Sequence, residues 1–277
     1  MNTTVHDNCI KTIAATRFLS FMLIPGLIMI LCAITAPMAL ADEDEGRGDI
    51  PFSEAGLYFE LNNTDGDLGI HALIDGDPWQ WLSIEDTRER KMLNIRVSGR
   101  LRRQGLTEIF FESAEPTFDE LAPERFFRRF PEGRYEIEGI TLEGSELEST
   151  VVLTHLMPAP PENILVNGQA VVADCEVEEP PVAVSGDVTI SWDFVTHSHP
   201  DLGRINEPIT VVKYQVVVER EEPTLLIYSV DLPPTITSAV IPAGFIEQGD
   251  EFKFEILVRE SSGNQTAMES CFNVAAE

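Results

Sequence analysis

The segment Thr196-His197-Ser198-His199-Pro200-Asp201-Leu202 sets two imidazoles two residues apart, with a carboxylate two residues further on. Imidazole nitrogens and carboxylate oxygens are the ligands that hold hydrolytic zinc, where a bound water is activated for attack. Two imidazoles at i and i+2 do not close a site by themselves, and no histidine follows His199. The competing reading is a solvated loop. A second group, Asn62-Asn63-Thr64-Asp65-Gly66-Asp67 with Asp75 and Asp77 nearby, offers hard oxygen ligands for calcium from Asn63, Asp65 and Asp67. The EF-hand spacing is not met, because Leu61 falls at the first ligand position once Gly66 is aligned. Asp65-Gly66 equally suits a hairpin turn, where a glycine accepts positive φ.

The histidine segment resembles the His-x-His-x-Asp-His motif of metallo-β-lactamase-fold hydrolases, which implies zinc held by His197, His199 and Asp201. It departs from that pattern at Leu202, which stands where the last histidine belongs, and in lacking the later ligands. Trp79 and Trp81 alternate, so in an extended strand both indoles point one way. Exposed, they could stack on sugar rings or a partner's apolar side chains; buried, they supply one face of a core. The string Arg96, Arg100, Arg102, Arg103 reads as solvated strand ends and a turn, or as a local anion contact. There is no Gly-x-Ser-x-Gly elbow and no phosphate-cradling glycine loop. Carboxylates are so numerous that no catalytic pair can be picked out. The expectation is no catalysis, no cofactor and no assigned metal.

The elements that must carry these residues are short, apolar-alternating runs separated by turn residues, the mark of an all-β chain. In the second half, Val188 to Asp193 ends in Trp192, Val211 to Glu219 carries Tyr214 near its start, and Thr237 to Pro242 follows. Then come Phe245 to Ile256, a turn at Ser262-Gly263-Asn264 and a last strand from Ser270 to Val274. In order and spacing these resemble a fibronectin type III domain over about 176–277. That resemblance implies two packed sheets with Trp192 plugged between them. It departs at Phe252, where the family places a tyrosine whose hydroxyl bonds to backbone.

In the first half, runs at Gly56 to Leu61 and Gly69 to Ile74 flank the Asp65-Gly66 turn, and further strands fall at Trp81 to Ile84, Met92 to Val97 and Ile109 to Glu112. Pro123 suits the first position of a short helix, with Phe126, Phe127 and Phe130 turned to the core and Arg125, Arg128 and Arg129 to water. A hairpin from Arg134 to His155 closes this half. Pro131 to Tyr135 looks like the tight corner of immunoglobulin-like sandwiches, and the half resembles uncharacterised secreted bacterial Ig-like proteins. The fold class expected is two consecutive β-sandwich domains, Ig-like over 50–157 and fibronectin type III-like over 176–277. A proline-rich linker and leading strand occupy 158–175.

Residues 1–41 read as a cleaved export signal: Lys11 and Arg17, an apolar run from Phe18, and Ala39-Leu40-Ala41 as the cleavage site. A retained anchor is the alternative, although Pro25 and Gly26 interrupt the run; a lipoprotein signal is disfavoured by Leu31 before Cys32. An acidic leader, 42–49, follows. Removing the signal takes away Cys9 and Cys32 and leaves Cys175 and Cys271 as a pair suited to an oxidising compartment. Unpaired thiols are the alternative. The formal charge of the chain is −28, with 47 acidic and 19 basic residues. Nucleic acid and anionic membrane are excluded as main partners by repulsion. What remains is an exported binding or structural module, secreted or periplasmic and not inserted in the membrane after cleavage, contacting a protein or envelope component. The alternative is an accessory carbohydrate-binding protein.

Overall fold

A computed structural model describes residues 49–175, 177–183 and 186–275. The expected export signal and all but Asp49 of the expected acidic leader lie outside the described residues. No helix among those residues is long and apolar enough to cross a membrane.

The first half builds β1 (Glu54–Asn62), β2 (Asp67–Glu85), β3 (Lys91–Arg96), α1 (Gly99–Gln104), β4 (Leu106–Glu112), α2 (Pro123–Arg129), β5 (Gly133–Thr141) and β6 (Glu146–Leu153). Alternation drives the pairing: Leu57, Phe59 and Leu61 turn one face of β1 into the core, and Leu68, Ile70, Ala72 and Ile74 do the same for β2. The two runs expected at 69–74 and 81–84 are one long strand. Its first part pairs with β1 and β4 and its second part with β3 and β5, with register shifts between. β2 thereby joins β1 and β4 to β3 and β5 within a single sheet. Phe126 and Phe127 of α2 pack edge-on against Phe59, and the arginines of α2 face water, as its spacing required. The Tyr135 hydroxyl donates to the Pro131 carbonyl at 3.0 Å, which ties down the corner before β5.

The second half adds β7 (Leu165–Val166), β8 (Gln169–Ala170), β9 (Val182–Ala183), β10 (Val188–Ser191), β11 (Val211–Arg220), β12 (Leu226–Leu232), β13 (Ser238–Ile241), α3 (Ala243–Ile246), β14 (Glu251–Glu260) and β15 (Gln265–Val274). One layer is the four-stranded sheet β13-β10-β7-β8; the other runs β12-β11-β14-β15. Trp192 is sealed between them, 4% exposed and edge-on to Tyr214. β12 is a strand for which the sequence reading had no element. The single helix expected in the first half is joined there by α1, and α3 forms in the second.

The two halves are not separate sheets. β15 pairs with β1 in parallel, opposing Leu61 to Thr266 and Glu60 to Gln265, so one sheet runs from β12 through β15 and β1 into β2. Directly opposed residues share a face, which puts both cores on one side of the shared sheet. The other side carries Tyr58, Glu60, Asn62, Gln265 and Glu269.

Candidate functional site

The junction between the halves is held by buried side-chain hydrogen bonds. Asn264 is wholly buried: its Oδ1 accepts from the Phe59 backbone N–H at 2.8 Å, and its Nδ2 donates to the Thr154 and Leu156 carbonyls at 2.9 and 3.3 Å. The Thr266 hydroxyl donates to the Pro158 carbonyl at 2.7 Å. Such polar groups are tolerated inside because each finds its partner. The junction is therefore specific in register, and a slip would orphan the Asn264 carboxamide.

The histidine segment belongs to this junction and is not a solvated loop. His199 is buried, which holds its imidazole below the usual histidine range. Its Nδ1 accepts from the Asp201 N–H at 3.1 Å, which assigns the ring hydrogen to Nε2, and Nε2 donates to Asn63 Oδ1 at 3.0 Å. The one ring lone pair available to zinc, on Nδ1, is thus taken up by the Asp201 N–H, and Nε2 is taken up as a donor. Leu202, at the place of the missing histidine, is 8% exposed and joins the hydrophobic core of the first half. Gly203 has φ +63, and a Cβ there would meet the His155 carbonyl oxygen at 2.0 Å, so the chain passes too close for any side chain. Arg204 then forks onto Glu132; against the cost of burial, the His155 N–H first and Arg204 second hold that carboxyl below its usual range. His197 is exposed and bonded to Thr196. The segment is a strap that fastens the second sandwich to the first.

The calcium candidates are divided in the same way. Asn62 Oδ1 accepts from the N–H groups of Thr64 and Asp65, an Asx turn inside the β1–β2 hairpin, and Gly66 takes φ +67. Asn63 is spent on His199, with its amide nitrogen near the Met268 sulfur. Asp67 is pushed up to about 6 by burial and by the carboxylates of Glu115, Asp65, Glu269 and Glu60. Among the described residues no three His, Cys, Asp or Glu side chains are grouped to hold a metal ion. The turn accounts for Asn62 and Gly66, while Asp67 Oδ1 is buried without a hydrogen-bond partner among the described residues.

The paired-indole platform is overturned. Trp79 opposes Thr141 and Trp81 opposes Ile140, so β5 advances one residue where β2 advances two. Gln80 is the extra residue of a bulge, and a bulge reverses which face the next side chain takes. Trp79 is 0% exposed, its indole N–H donating to the Thr107 carbonyl. Trp81 is partly exposed on the outer face, its indole N–H donating to Asn94 Oδ1 at 3.0 Å and Lys91 lying over its ring at 5.4 Å. Beside it a trough of ≈ 620 Å³ is walled by Arg96, Val97, Arg102 and Ile140. Arg100, Arg102 and Arg103 are not in a bare turn but on α1, a helix with no buried residue and with Leu101 56% exposed.

Cys175 and Cys271 form a disulfide that closes 96 residues of sequence. Cys271 opposes Lys253 on the shared sheet's outer side, so the cystine clamps the segment after β8 across that sheet. A cleft of ≈ 520 Å³ lies beside it. Two carboxyls on this outer side are unusual. Glu255 is pushed up to about 8, by burial first and by the nearby Glu60 and Glu269 second, and Glu60 is raised chiefly by burial.

Neither a protein-family model nor a curated protein matches the chain. Among solved structures the chain is similar to the chicken CNTN1 FN1–FN3 domains at 11% identity, covering 81% of this chain and 65% of that one with a TM-score of 0.31. It is similar also to the human OSCAR ligand-binding domain at 11% identity, covering 79% of this chain and 97% of that one with a TM-score of 0.25. The chain thus spans about two thirds of the first of these. The all-β assignment stands on the chain's own strands and two packed cores.

Proposed function

We propose that the chain is a non-catalytic binding and structural module of the periplasm or cell exterior, which holds protein contacts at the cell envelope. The observation that carries this reading is the welded junction. A sheet shared by both sandwiches, the buried Asn264 and the Leu202 strap make one stiff body, and a stiff body presents its loops and outer sheet face in a fixed relation. The cystine suits an oxidising compartment. Ig-like and fibronectin type III sandwiches are display scaffolds whose fold does not dictate a ligand.

The test is fractionation and cross-linking in the native cell. The reading expects a chain lacking residues 1–41, found outside the cytoplasm with its cystine oxidised, and cross-linked to an envelope protein. Residence in the cytoplasm with free thiols, or turnover of a small-molecule substrate by the purified chain, overturns it.

A further inference from the structure

We propose that the trough walled by Trp81 and the arginines of β3 and α1 binds an anionic sugar residue, carboxylated or sulfated. This goes beyond the module reading and names a ligand for a surface which that reading does not use.

The trough has the size of a small-ligand site, ≈ 620 Å³, and continues into a second hollow of ≈ 460 Å³ that shares Gln80 and Arg102 and adds Arg103. Its floor is the Trp81 indole beside Ile140, opposed across the sheet. Its walls are cationic. Among the described residues no carboxylate lies within 4.0 Å of Arg96, Arg100, Arg102 or Arg103, although acidic side chains outnumber basic ones 47 to 19. Elsewhere Arg90, Lys91, Arg204, Lys213 and Lys253 each hold a carboxylate, and Arg125, Arg128 and Arg129 do not; what sets Arg96, Arg102 and Arg103 apart is that they line adjoining hollows beside an indole. Three of these guanidiniums, Arg96, Arg102 and Arg103, line the two hollows and are positive charge left for something outside the chain.

α1 is held in place for this. Gly105 caps it at φ +91, its N–H donating to the Leu101 carbonyl, and a Cβ there would press within 2.8 Å of Pro78. The Gln80 amide nitrogen is fixed on the Thr141 carbonyl, and its oxygen accepts from Arg102 at 2.8 Å. One guanidinium N–H is thereby anchored and the remaining donors stay available for a planar anion.

The combination selects a sugar over an acidic peptide. An indole offers a flat apolar surface for the C–H face of a pyranose, while Gln80 and Ser98 line the rim with groups that pair to hydroxyls. The chain's overall negative charge does not forbid such a ligand. Exposed charges further than about 8 Å apart are screened at physiological ionic strength, so a single sugar feels Arg96, Arg102 and Arg103 first. A duplex, laid over the whole acidic surface, would not.

The experiment titrates the purified chain by calorimetry and tryptophan fluorescence with oligogalacturonate, its methyl ester, a chondroitin sulfate oligosaccharide and oligoglutamate. The expected result is binding of at least one of the two anionic sugars with a change in emission. The methyl ester should bind about tenfold more weakly or worse, if galacturonate is the binder, and Arg96→Gln/Arg102→Gln should weaken binding about tenfold or more. Trp81→Phe should remove the emission change, since Trp79 and Trp192 are buried. Both substituted arginines are exposed, so the variant keeps its fold. The proposal is overturned if neither anionic sugar binds, if the ester binds equally well, if oligoglutamate binds more tightly, or if the arginine variant binds unchanged. Envelope cross-linking retained by that variant leaves the module reading standing whichever way the titration falls.

Discussion

His199 Nε2 donates to Asn63 Oδ1 at 3.0 Å, across 136 residues of sequence. One belongs to the segment that resembles a zinc motif and the other to the turn whose oxygens are the candidate calcium ligands. Each consumes the other's free valence, and together they stitch the second sandwich to the first. Asn264, bonded to the Phe59 N–H, does the same from the β14–β15 turn. Polar residues that look like ligands in sequence serve here as interdomain fasteners.

Asn264→Ala removes one acceptor and one doubly committed donor from a sealed site, leaving the Phe59 N–H and two carbonyls to find other partners. Stability should fall by about 2 to 3 kcal/mol. Urea unfolding followed by tryptophan emission measures this, and an unchanged midpoint would show that water replaces the carboxamide freely.

Leu202→Ala withdraws an apolar side chain from the core of the other half and should cost about 2 kcal/mol or more. Gly203→Ala should cost comparably, because the His155 carbonyl leaves no room. The sharper readout is cooperativity: the native chain should unfold in one calorimetric transition, and with the strap released separate transitions for the two sandwiches should be resolved.

Reducing the cystine frees a loop of 96 residues. The chain-entropy model gives a loss of roughly 4 to 5 kcal/mol, felt mainly in the unfolded state. Denaturation with and without reductant tests it, and Cys175→Ser/Cys271→Ser should match the reduced protein.

Glu255, at about 8, stays protonated in the fold at pH values where the unfolded chain has already released its proton. The native state binds more protons there, so stability falls as pH rises from about 4.5 to about 8. Asp86 and Glu132 are lowered, and their contribution is lost only as pH falls below the ordinary carboxylate range. Thermal unfolding should therefore occur at higher temperature at pH 5 than at pH 8, and Glu255→Gln should flatten that slope. A slope unchanged in the variant would assign it to other groups.

What the amino-acid sequence determined by itself is what repeats over a few residues. Alternation in β1, β5, β10 and β14, the helical spacing of the phenylalanines in α2, the corner at Tyr135 and the burial of Trp192 are all written within windows of ten residues or fewer. The physics there is local, since side chains at i and i+2 share a face whatever lies beyond. The Cys175–Cys271 pair was legible because few thiols remained to choose from. The tertiary structure alone decided the rest. A bulge at Gln80 reversed the facing of Trp81, which periodicity cannot register because one extra residue breaks the period. Leu202 and His199 were spent on surfaces supplied by the other half, and Arg96 and Arg102 were gathered beside Trp81. Such contacts depend on which distant strand arrives alongside, as β15 does at β1, and no short stretch of chain carries that information.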